Sequence, residues 1–267
     1  MLTDMDERLI IGITMGDPAS IGPEITVKAL ADKGIYDKCR PLVIGDANVM
    51  EAAVKIVGKE DIKIHPVHSA EEALFEAGTI DVYDMDLVDM DKLERGKVSV
   101  MAGEAAFRYV EKVIQMALAG EVDGTVTNAF NKEAINMAGH HYSGHTEVYA
   151  DMTGTKKYTM MLAHENIRVV HVSTHVSLRE ACDRVKKERV LEVIRIAYQA
   201  CGDLGLEQPR IGVAGLNPHS GENGLFGREE IDEIIPAIEA ANAEGIHAEG
   251  PVPPDTIFSK ARGGGYD

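Results

Sequence analysis

The sequence has few cysteines, few basic residues and no long apolar run, and each shortage excludes a class of protein. Its three cysteines, Cys39, Cys182 and Cys201, are widely separated and form no CxxC pair. This argues against a disulfide framework and against a cysteine zinc site. No apolar run approaches the roughly 20 residues of a membrane-spanning helix, and the acidic start MLTDMDERLI has no signal-like apolar segment. We therefore expect a cytoplasmic protein.

Basic residues are outnumbered by acidic ones, with 27 Lys and Arg against 44 Asp and Glu and a formal net charge of −17. A chain of this charge is repelled by nucleic acid phosphates and by anionic lipids, so we expect neither nucleic acid nor membrane as a partner. A small anionic substrate is compatible with the charge if basic groups and helix N-termini cluster at its site.

Short β-branched runs alternate with segments of helical periodicity along the 267 residues. Leu9 to Thr14 indicates a strand, and a glycine-rich turn then leads into a helix over Ile21 to Leu30. The same succession recurs three times: Pro41 to Ile44 before Ala47 to Val57, Gly124 to Thr127 before Lys132 to Met137, and Arg210 to Ala214 before Glu229 to Glu244. The pattern predicts an α/β protein with a mostly parallel sheet covered by helices on both faces.

Two further segments indicate a second lobe. Val100 to Leu118 has apolar residues at helical spacing, and we expect this helix to connect two lobes. The segments TMMLAH and IRVVHV are separated by two residues, which predicts a hairpin and a mixed sheet in the second lobe. We place the first lobe at residues 1–125 and the second at 126–267.

Four loops that follow predicted strands are rich in polar residues. Ligands of open α/β sheets bind beyond the carboxyl ends of the strands, so these loops are candidates for a site. TMGDPASIGPE has glycines that permit close backbone approach and a helix start that can face an anion, and a tight structural turn explains it equally well. It lacks the GxGxxG spacing of the usual dinucleotide fingerprint.

The second loop, VTNAFNKEAI, brings Asn128, Asn131 and Lys132 to the start of a helix. Lysine is unfavourable beside the positive end of a helix dipole. The pattern therefore leaves two interpretations of Lys132 open, a functional group held at the site and a solvated surface side chain.

The third loop, GHHYSGHTEVYAD, contains three histidines. Ser143 or Thr146 is expected to cap the helix that follows, which does not explain the histidines. His145 and Thr146, next to a glycine, suit hydrogen bonding to a phosphate or a carboxylate. His140 and His141 are expected at the surface or at an interface.

The fourth polar loop is VVHVSTHVSLRE, which ends an apolar run, and GLNPHSGENGLFG follows a later strand. They supply His171, His175 and His219. A structural role is the alternative for His171 and His175, which share a face of a strand, but two neutral imidazoles from separate strand ends also form part of a divalent-metal site.

Taken together, GDPASIGPE, NKEAI, SGHTE, STHVSL, GLNPHSGE, GREEI and GPVPPDT resemble the 4-hydroxythreonine-4-phosphate dehydrogenase family of pyridoxal phosphate biosynthesis. The resemblance runs in order over essentially the whole chain. It implies two α/β/α lobes folded like isocitrate and isopropylmalate dehydrogenases, and a homodimer. TNAFNKEAI with GHHYSGHTE is similar to a sister branch that oxidises D-threonate or D-erythronate 4-phosphate.

The resemblance also implies chemistry and roles. NAD takes a hydride from a phosphorylated four-carbon hydroxy acid, a divalent metal (Zn, Mg, Mn or Co) stabilises the oxygen, and carbon dioxide is lost. His175 and His219 would be metal ligands, and His145 and Thr146 would contact the substrate. Lys132 is the candidate for proton transfer, because a nearby cation favours a neutral amine.

Family members continue with a His-Asp-Gln-Gly segment carrying a third metal histidine, given across the dimer, and with Lys, Asn and Arg that hold the phosphate. The present sequence ends at GGGYD. We therefore expect a C-terminally truncated chain with an incomplete first lobe. The alternatives to an active dehydrogenase are an inactive scaffold that binds metal or phosphate, and a phosphate acyltransferase-like enzyme, whose relatives share a two-lobed fold but need no metal.

Overall fold

The computed structural model describes residues 7–267. The chain divides into two compact units, Met1–Gly154 and Thr155–Asp267. The sequence interpretation placed the boundary at residues 125 and 126 instead. The difference is the segment 126–154, whose two helices pack on a long helix of the first unit.

Within residues 7–154, five strands form a fully parallel sheet in the order β3-β4-β2-β1-β5. The elements are β1 (Ile10–Thr14), α1 (Gly22–Leu30), α2 (Lys33–Tyr36), β2 (Arg40–Gly45), α3 (Ala47–Ile56), β3 (Lys63–Val67), β4 (Thr79–Asp84), α4 (Val100–Ala119), β5 (Gly124–Val126), α5 (Lys132–Met137) and α6 (His145–Met152). The predicted α/β class with a mostly parallel sheet is confirmed.

The long helix α4 packs on β1, β2 and β5, and it also packs against α5. Ser99 caps its N-terminus, where Oγ accepts from Ala102 N, and Gly120 follows its C-terminus in left-handed backbone. Val113 of α4 packs closely on β1 at Gly12. A Cβ at position 12 would lie 2.7 Å from a methyl group of Val113, so this contact requires glycine. All of α4 belongs to the first unit, so the expectation that it connects two lobes is wrong.

The second unit contains a hairpin and a separate parallel strand pair. Its elements are β6 (Met161–His164), β7 (Ile167–Val170), α7 (Leu178–Arg184), α8 (Lys187–Asp203), β8 (Ile211–Ala214), a π-helical turn (Glu230–Ile234), α9 (Ile235–Ala243), β9 (Ala248–Val252) and α10 (Pro254–Arg262). The predicted hairpin is confirmed as the antiparallel pair β6 and β7. β8 pairs in parallel with β9 in a sheet of its own, so a single mixed sheet does not form among residues 155–267.

The core of the second unit lies between α8, α9 and β9, where Val190, Ile194, Ala237 and Ala248 are buried. The π-helical turn continues directly into α9, and its Ile234 belongs to the same core. No helix in the described part of the chain is long and apolar enough to cross a membrane.

Candidate active site

β1 and β5 meet where the strand order reverses along the chain, the usual position of a ligand crevice in such sheets. The loops after these strands, residues 15–21 and 127–131, pack on each other through a hydrogen bond from Asp17 N to the carbonyl oxygen of Ala129 at 2.9 Å. Gly16 has φ +81°, and a Cβ there would lie 2.4 Å from the same oxygen. The close approach of the two loops therefore requires glycine at position 16.

Asn128 connects three parts of the first unit. Its Nδ2 group donates to the carbonyl oxygen of Gly22 and to Oγ1 of Thr26, each at 2.8 Å, and its backbone N–H donates to Oγ1 of Thr14 at 3.0 Å. Asn131 caps α5, where its Oδ1 accepts from two backbone N–H groups at 2.9 and 3.1 Å. Both asparagines of this loop are thus engaged in holding the fold.

Asp17 is a buried acid that the sequence interpretation did not single out. Its side chain is 2% exposed and accepts from Ala19 N at 2.8 Å. Burial raises the pKa of Asp17, although that hydrogen bond opposes the shift. A cavity of about 250 Å³ adjoins it, lined also by Ser20, Glu24, Arg95 and Asn131. The signal was available in the sequence, since Asp17 directly follows a strand and a glycine.

His145 is the first residue of α6, and its ring packs on Phe130 with the centroids 3.8 Å apart. Its Nε2 atom is buried and has no hydrogen-bond partner within residues 7–267. Burial lowers the pKa of His145, and the positive charge of Lys132 lowers it further. The structure thus brings two predicted site residues, Lys132 and His145, within electrostatic reach and favours a neutral imidazole. Lys132 itself is exposed.

The start of α6 differs from its predicted form. Gly144 is the N-cap and makes no side-chain cap, so the prediction that Ser143 or Thr146 caps this helix is wrong. Thr146 is half-buried in the first turn, next to His145. Glu147 follows, and its Oε2 atom is buried without a hydrogen-bond partner in the described residues. Sequence reasoning missed Glu147, because an acid in a first helical turn is also expected from the helix dipole alone.

The other two histidines of this segment have partners. His140 stacks on Phe107 with the ring centroids 3.6 Å apart, and its Nε2 lies 2.6 Å from Glu104 Oε2. His141 is exposed, and its Nδ1 lies 3.2 Å from Asn136 Oδ1. The half-buried His140 therefore serves packing in the first unit rather than an open surface.

His219 lies in a loop of the second unit whose backbone is left-handed over five successive residues. From His219 to Asn223, φ ranges from 42° to 76°, and only Gly221 among them is a glycine. Left-handed backbone costs other residues roughly 1–2 kcal/mol each. Such outliers concentrate at functional sites, where the surrounding structure holds them.

Glu230 anchors the two residues that lead from β8 into this loop. It is 2% exposed, and its Oε1 accepts from the backbone N–H groups of Leu216 at 2.8 Å and of Asn217 at 2.7 Å. Its Oε2 accepts from Asn217 Nδ2 at 2.9 Å. Burial on its own would raise the pKa of Glu230, but the hydrogen bonds from Asn217 and Leu216 outweigh it and the pKa is lowered. Glu230 is therefore a buried carboxylate that fixes where the loop leaves β8.

His175 lies between β7 and α7 and has φ +57°, so both predicted metal ligands have left-handed backbone. Both are also exposed. Ser177 caps α7 by accepting from Glu180 N, which fixes the segment just after His175. His171 has a structural role, since its Nδ1 lies 3.2 Å from the carbonyl oxygen of Met160.

The donor set for a metal is suitable in kind and incomplete in number. Imidazoles such as those of His175 and His219 are good ligands for divalent transition metals. No group of three or more His, Cys, Asp or Glu side chains able to hold a metal ion occurs among residues 7–267. These residues therefore offer two ligands at most, and a complete metal site needs further donors.

Residues 37–267 match the family described as pyridoxal phosphate biosynthetic protein PdxA. The chain belongs to the PdxA family. A relative from Symbiobacterium thermophilum named putative D-threonate 4-phosphate dehydrogenase is 46% identical over 263 residues, which cover 98% of this chain and 78% of the relative.

Two solved PdxA-family structures agree with the fold. A 4-hydroxythreonine-4-phosphate dehydrogenase from Burkholderia phymatum has 43% identity and a TM-score of 0.87, over 98% of this chain and 79% of its own. The corresponding enzyme of Klebsiella pneumoniae has 40% identity and a TM-score of 0.90, over 98% and 78%. The predicted resemblance and the fold class of isocitrate and isopropylmalate dehydrogenases are confirmed.

Proposed function

We propose that this chain is an NAD-dependent oxidoreductase that oxidises a CH–OH group of a phosphorylated four-carbon hydroxy acid and releases carbon dioxide. The names of the three relatives described above, each a dehydrogenase of a phosphorylated compound, support this reaction class. The observation that carries the proposal is the buried Nε2 atom of His145, which has no partner in the described residues and lies within the field of Lys132. Buried polar atoms without a partner are rare in folded proteins, and shifted pKa values cluster at functional sites.

His145 and Thr146 contact the substrate in this proposal, and Lys132 transfers protons. Oxidation of the alcohol requires a base that takes the hydroxyl proton while the hydride leaves for NAD. The resulting β-keto acid loses carbon dioxide, and the enolate that remains takes up a proton. Lys132 is suited to both transfers because it begins α5 beside His145 and is accessible to solvent. We assign no residue to the NAD site.

We assign His175 and His219 as two ligands of a divalent metal, with zinc, magnesium, manganese and cobalt as candidates. When bound, the metal acts as a Lewis acid that stabilises negative charge on the reacting oxygen. The strained loop supports this assignment, because His219 has left-handed backbone of the kind that concentrates at functional sites, and Glu230 fixes Asn217 two residues before it. We also propose a homodimer, in which a partner subunit can supply the donors that residues 7–267 lack.

D-Threonate 4-phosphate is the substrate we favour, because the relative that is 46% identical is named for it. 4-Hydroxy-L-threonine 4-phosphate and D-erythronate 4-phosphate are the other candidates. The threonate and the hydroxythreonine differ at the carbon next to the carboxylate, which bears a hydroxyl group in the first and an ammonium group in the second.

The test is NADH formation from each acid, with and without each metal, by the wild-type protein, His219→Ala and a control, His247→Ala. His247 is exposed and lies outside the candidate site. We expect metal-dependent NADH formation that His219→Ala abolishes and His247→Ala leaves unchanged. A rate of NADH formation that is the same with and without a divalent metal would contradict the metal assignment. No NADH with any acid, or acetyl phosphate formed from acetyl-CoA instead, would contradict the proposed reaction.

A further inference from the structure

A cavity of about 800 Å³ opens in the first unit, apart from the candidate site. Its lining includes Ile10 and Arg40, which begin β1 and β2, and Glu121, which precedes β5. The cavity therefore lies towards the amino ends of these strands, whereas the candidate site lies beyond the carboxyl ends of β1 and β5. Small-molecule sites have volumes of about 300–1,000 Å³, so the cavity is large enough to hold a ligand.

Two cations in the cavity wall have no acidic partner. Arg40 and Lys112 are half-buried, and neither forms a salt bridge with an acid among residues 7–267. The Arg40 guanidinium lies 5.5 Å from the centroid of the Phe75 ring, and the Lys112 ammonium lies 4.6 Å from that of Tyr83. Lysine and arginine are seldom buried without a partner, so these two are available to pair with an anionic ligand.

Phe75 is fixed at the cavity by a buried acid. Its φ is +53°, which is rare for a bulky residue. Asp81 is 1% exposed and accepts from Phe75 N at 2.8 Å and from Leu74 N at 3.1 Å. His65 Nδ1 lies 2.7 Å from the same carboxylate. Strained backbone that is held in this way concentrates at functional sites.

Regular elements position the other residues of the wall. Ile44 of β2 is paired with Tyr83 of β4, and side chains alternate along a strand, so Arg40 and Tyr83 point to the same face of the sheet. Helix α4 covers this face, and its Lys112 lies over the Tyr83 ring. Two cations and two aromatic rings therefore line one cavity on a rigid scaffold.

The charges restrict the ligand. The other charged or titratable side chains of the lining are His68, Glu71 and Glu121, and all three are exposed. Water screens exposed charges more strongly than half-buried ones, so the two cations dominate within the cavity. A phosphate group offers several charged acceptors to arginine and lysine, and aromatic side chains such as Phe75 and Tyr83 suit an aromatic body.

We propose that this cavity binds a phosphomonoester with an aromatic body, of the size of a nucleoside monophosphate, through Arg40 and Lys112. The site is additional to that of the hydroxy acid, because it lies at the opposite end of β1 and β5 from the loop that carries Lys132. The proposal does not depend on the reaction that the chain performs.

Calorimetric titration of AMP into the wild-type protein, Lys112→Met and Lys55→Met tests the proposal. Methionine keeps much of the apolar stem of lysine and removes its charge. Lys55 is the matched control, because it is exposed on α3 and lies outside the cavity lining. We expect Lys112→Met to weaken AMP binding at least about 10-fold, the effect of losing a hydrogen bond to a charged group, and Lys55→Met to leave it within about 2-fold.

Arg40→Gln is a second variant with the same expected loss, so the test stands if Lys112→Met does not fold. AMP should also shift the NMR signals of the Phe75 and Tyr83 rings. Adenosine lacks the phosphate and inorganic phosphate lacks the aromatic body, and we expect each to bind at least about 10-fold more weakly than AMP.

Three results would overturn the proposal. The first is no binding of AMP to the wild-type protein. The second is binding that Lys112→Met and Arg40→Gln leave unchanged, which would place AMP at another site. The third is inorganic phosphate or adenosine that binds as tightly as AMP. None of these measurements requires turnover, so they can fail while the proposed function stands, and the reverse also holds.

Discussion

Replacing Glu230 by glutamine tests how the loop that carries His219 is held. Four residues of that loop other than glycine have φ between 42° and 56°, which costs about 4–8 kcal/mol in total at 1–2 kcal/mol each. Glu230 offsets this cost with hydrogen bonds to Leu216 N, Asn217 N and Asn217 Nδ2. Bonds to a charged acceptor contribute about 1.5–3 kcal/mol, against about 0.5–1.5 kcal/mol for neutral pairs.

Glutamine keeps the volume and one acceptor oxygen of Glu230, but loses the charge and places an NH₂ group against Asn217 Nδ2. We therefore expect Glu230→Gln to lower the free energy of unfolding by about 2–3 kcal/mol, measured by urea denaturation followed by circular dichroism. The amides of Leu216 and Asn217 should also exchange faster with solvent. Glu239→Gln is the control, because Glu239 is exposed on α9.

The pH dependence of the free energy of unfolding provides a second test of the role of Glu230. The pKa of Glu230 is lowered from 4.5 in the folded state, so its stabilising effect is present above pH 4.5 and is lost as the pH falls through the folded value. The wild type and Glu230→Gln should therefore converge in stability in acid. A loss within about 0.5 kcal/mol of that of Glu239→Gln, the scale of ordinary surface substitutions, would refute the reasoning, as would unchanged exchange at Leu216 and Asn217.

Three further outcomes are expected in the first unit. Gly103→Ala should destabilise the protein by about 2 kcal/mol in urea, because a Cβ there would lie 2.1 Å from the backbone oxygen of Ala134; an unchanged midpoint would show that α5 can move away. Asn128→Ala should cost about 1–3 kcal/mol in the same assay, since it removes two donated hydrogen bonds, and a neutral result would contradict their role. His145 should titrate by NMR below 6.5, and Lys132→Met should raise its pKa; a midpoint at or above 6.5 in the wild type would be inconsistent with its burial.

Much of the fold was predictable, because its helices and central strands are strongly amphipathic or fully apolar. β1 and β2 were located to within one residue at each end. The sequence did not predict β3 and β4. The β3 segment KIHPV contains a proline, and the β4 segment TIDVYD contains two aspartates, which are uncommon in strands. Asp81, for example, is 1% exposed and accepts hydrogen bonds from two loop amides, which no local pattern indicates.

The candidate site was predictable only in part. Residue type selected both histidines as candidates, His145 and His219, but only His219 follows a strand; the loop before His145 follows α5, and the surroundings of both depend on tertiary packing. The buried carboxylate of Glu230 is the clearest case, because a glutamate near a helix start is exposed in most proteins. Whether such a side chain turns inward is decided by loops distant in sequence.

The pairing of β1 with β5 has a consequence for how the protein folds during synthesis. Ile11 pairs with Gly124, and the side chain of Thr14 meets the backbone of Asn128, 114 residues further along the chain. A ribosome must therefore deliver the chain as far as β5, which ends at Val126, before β1 gains its second neighbour, and contacts so distant in sequence form slowly. Until β5 is made, the apolar surface of α4 that packs on it stays exposed. We therefore expect the nascent chain to bind chaperones before residue 130 has emerged.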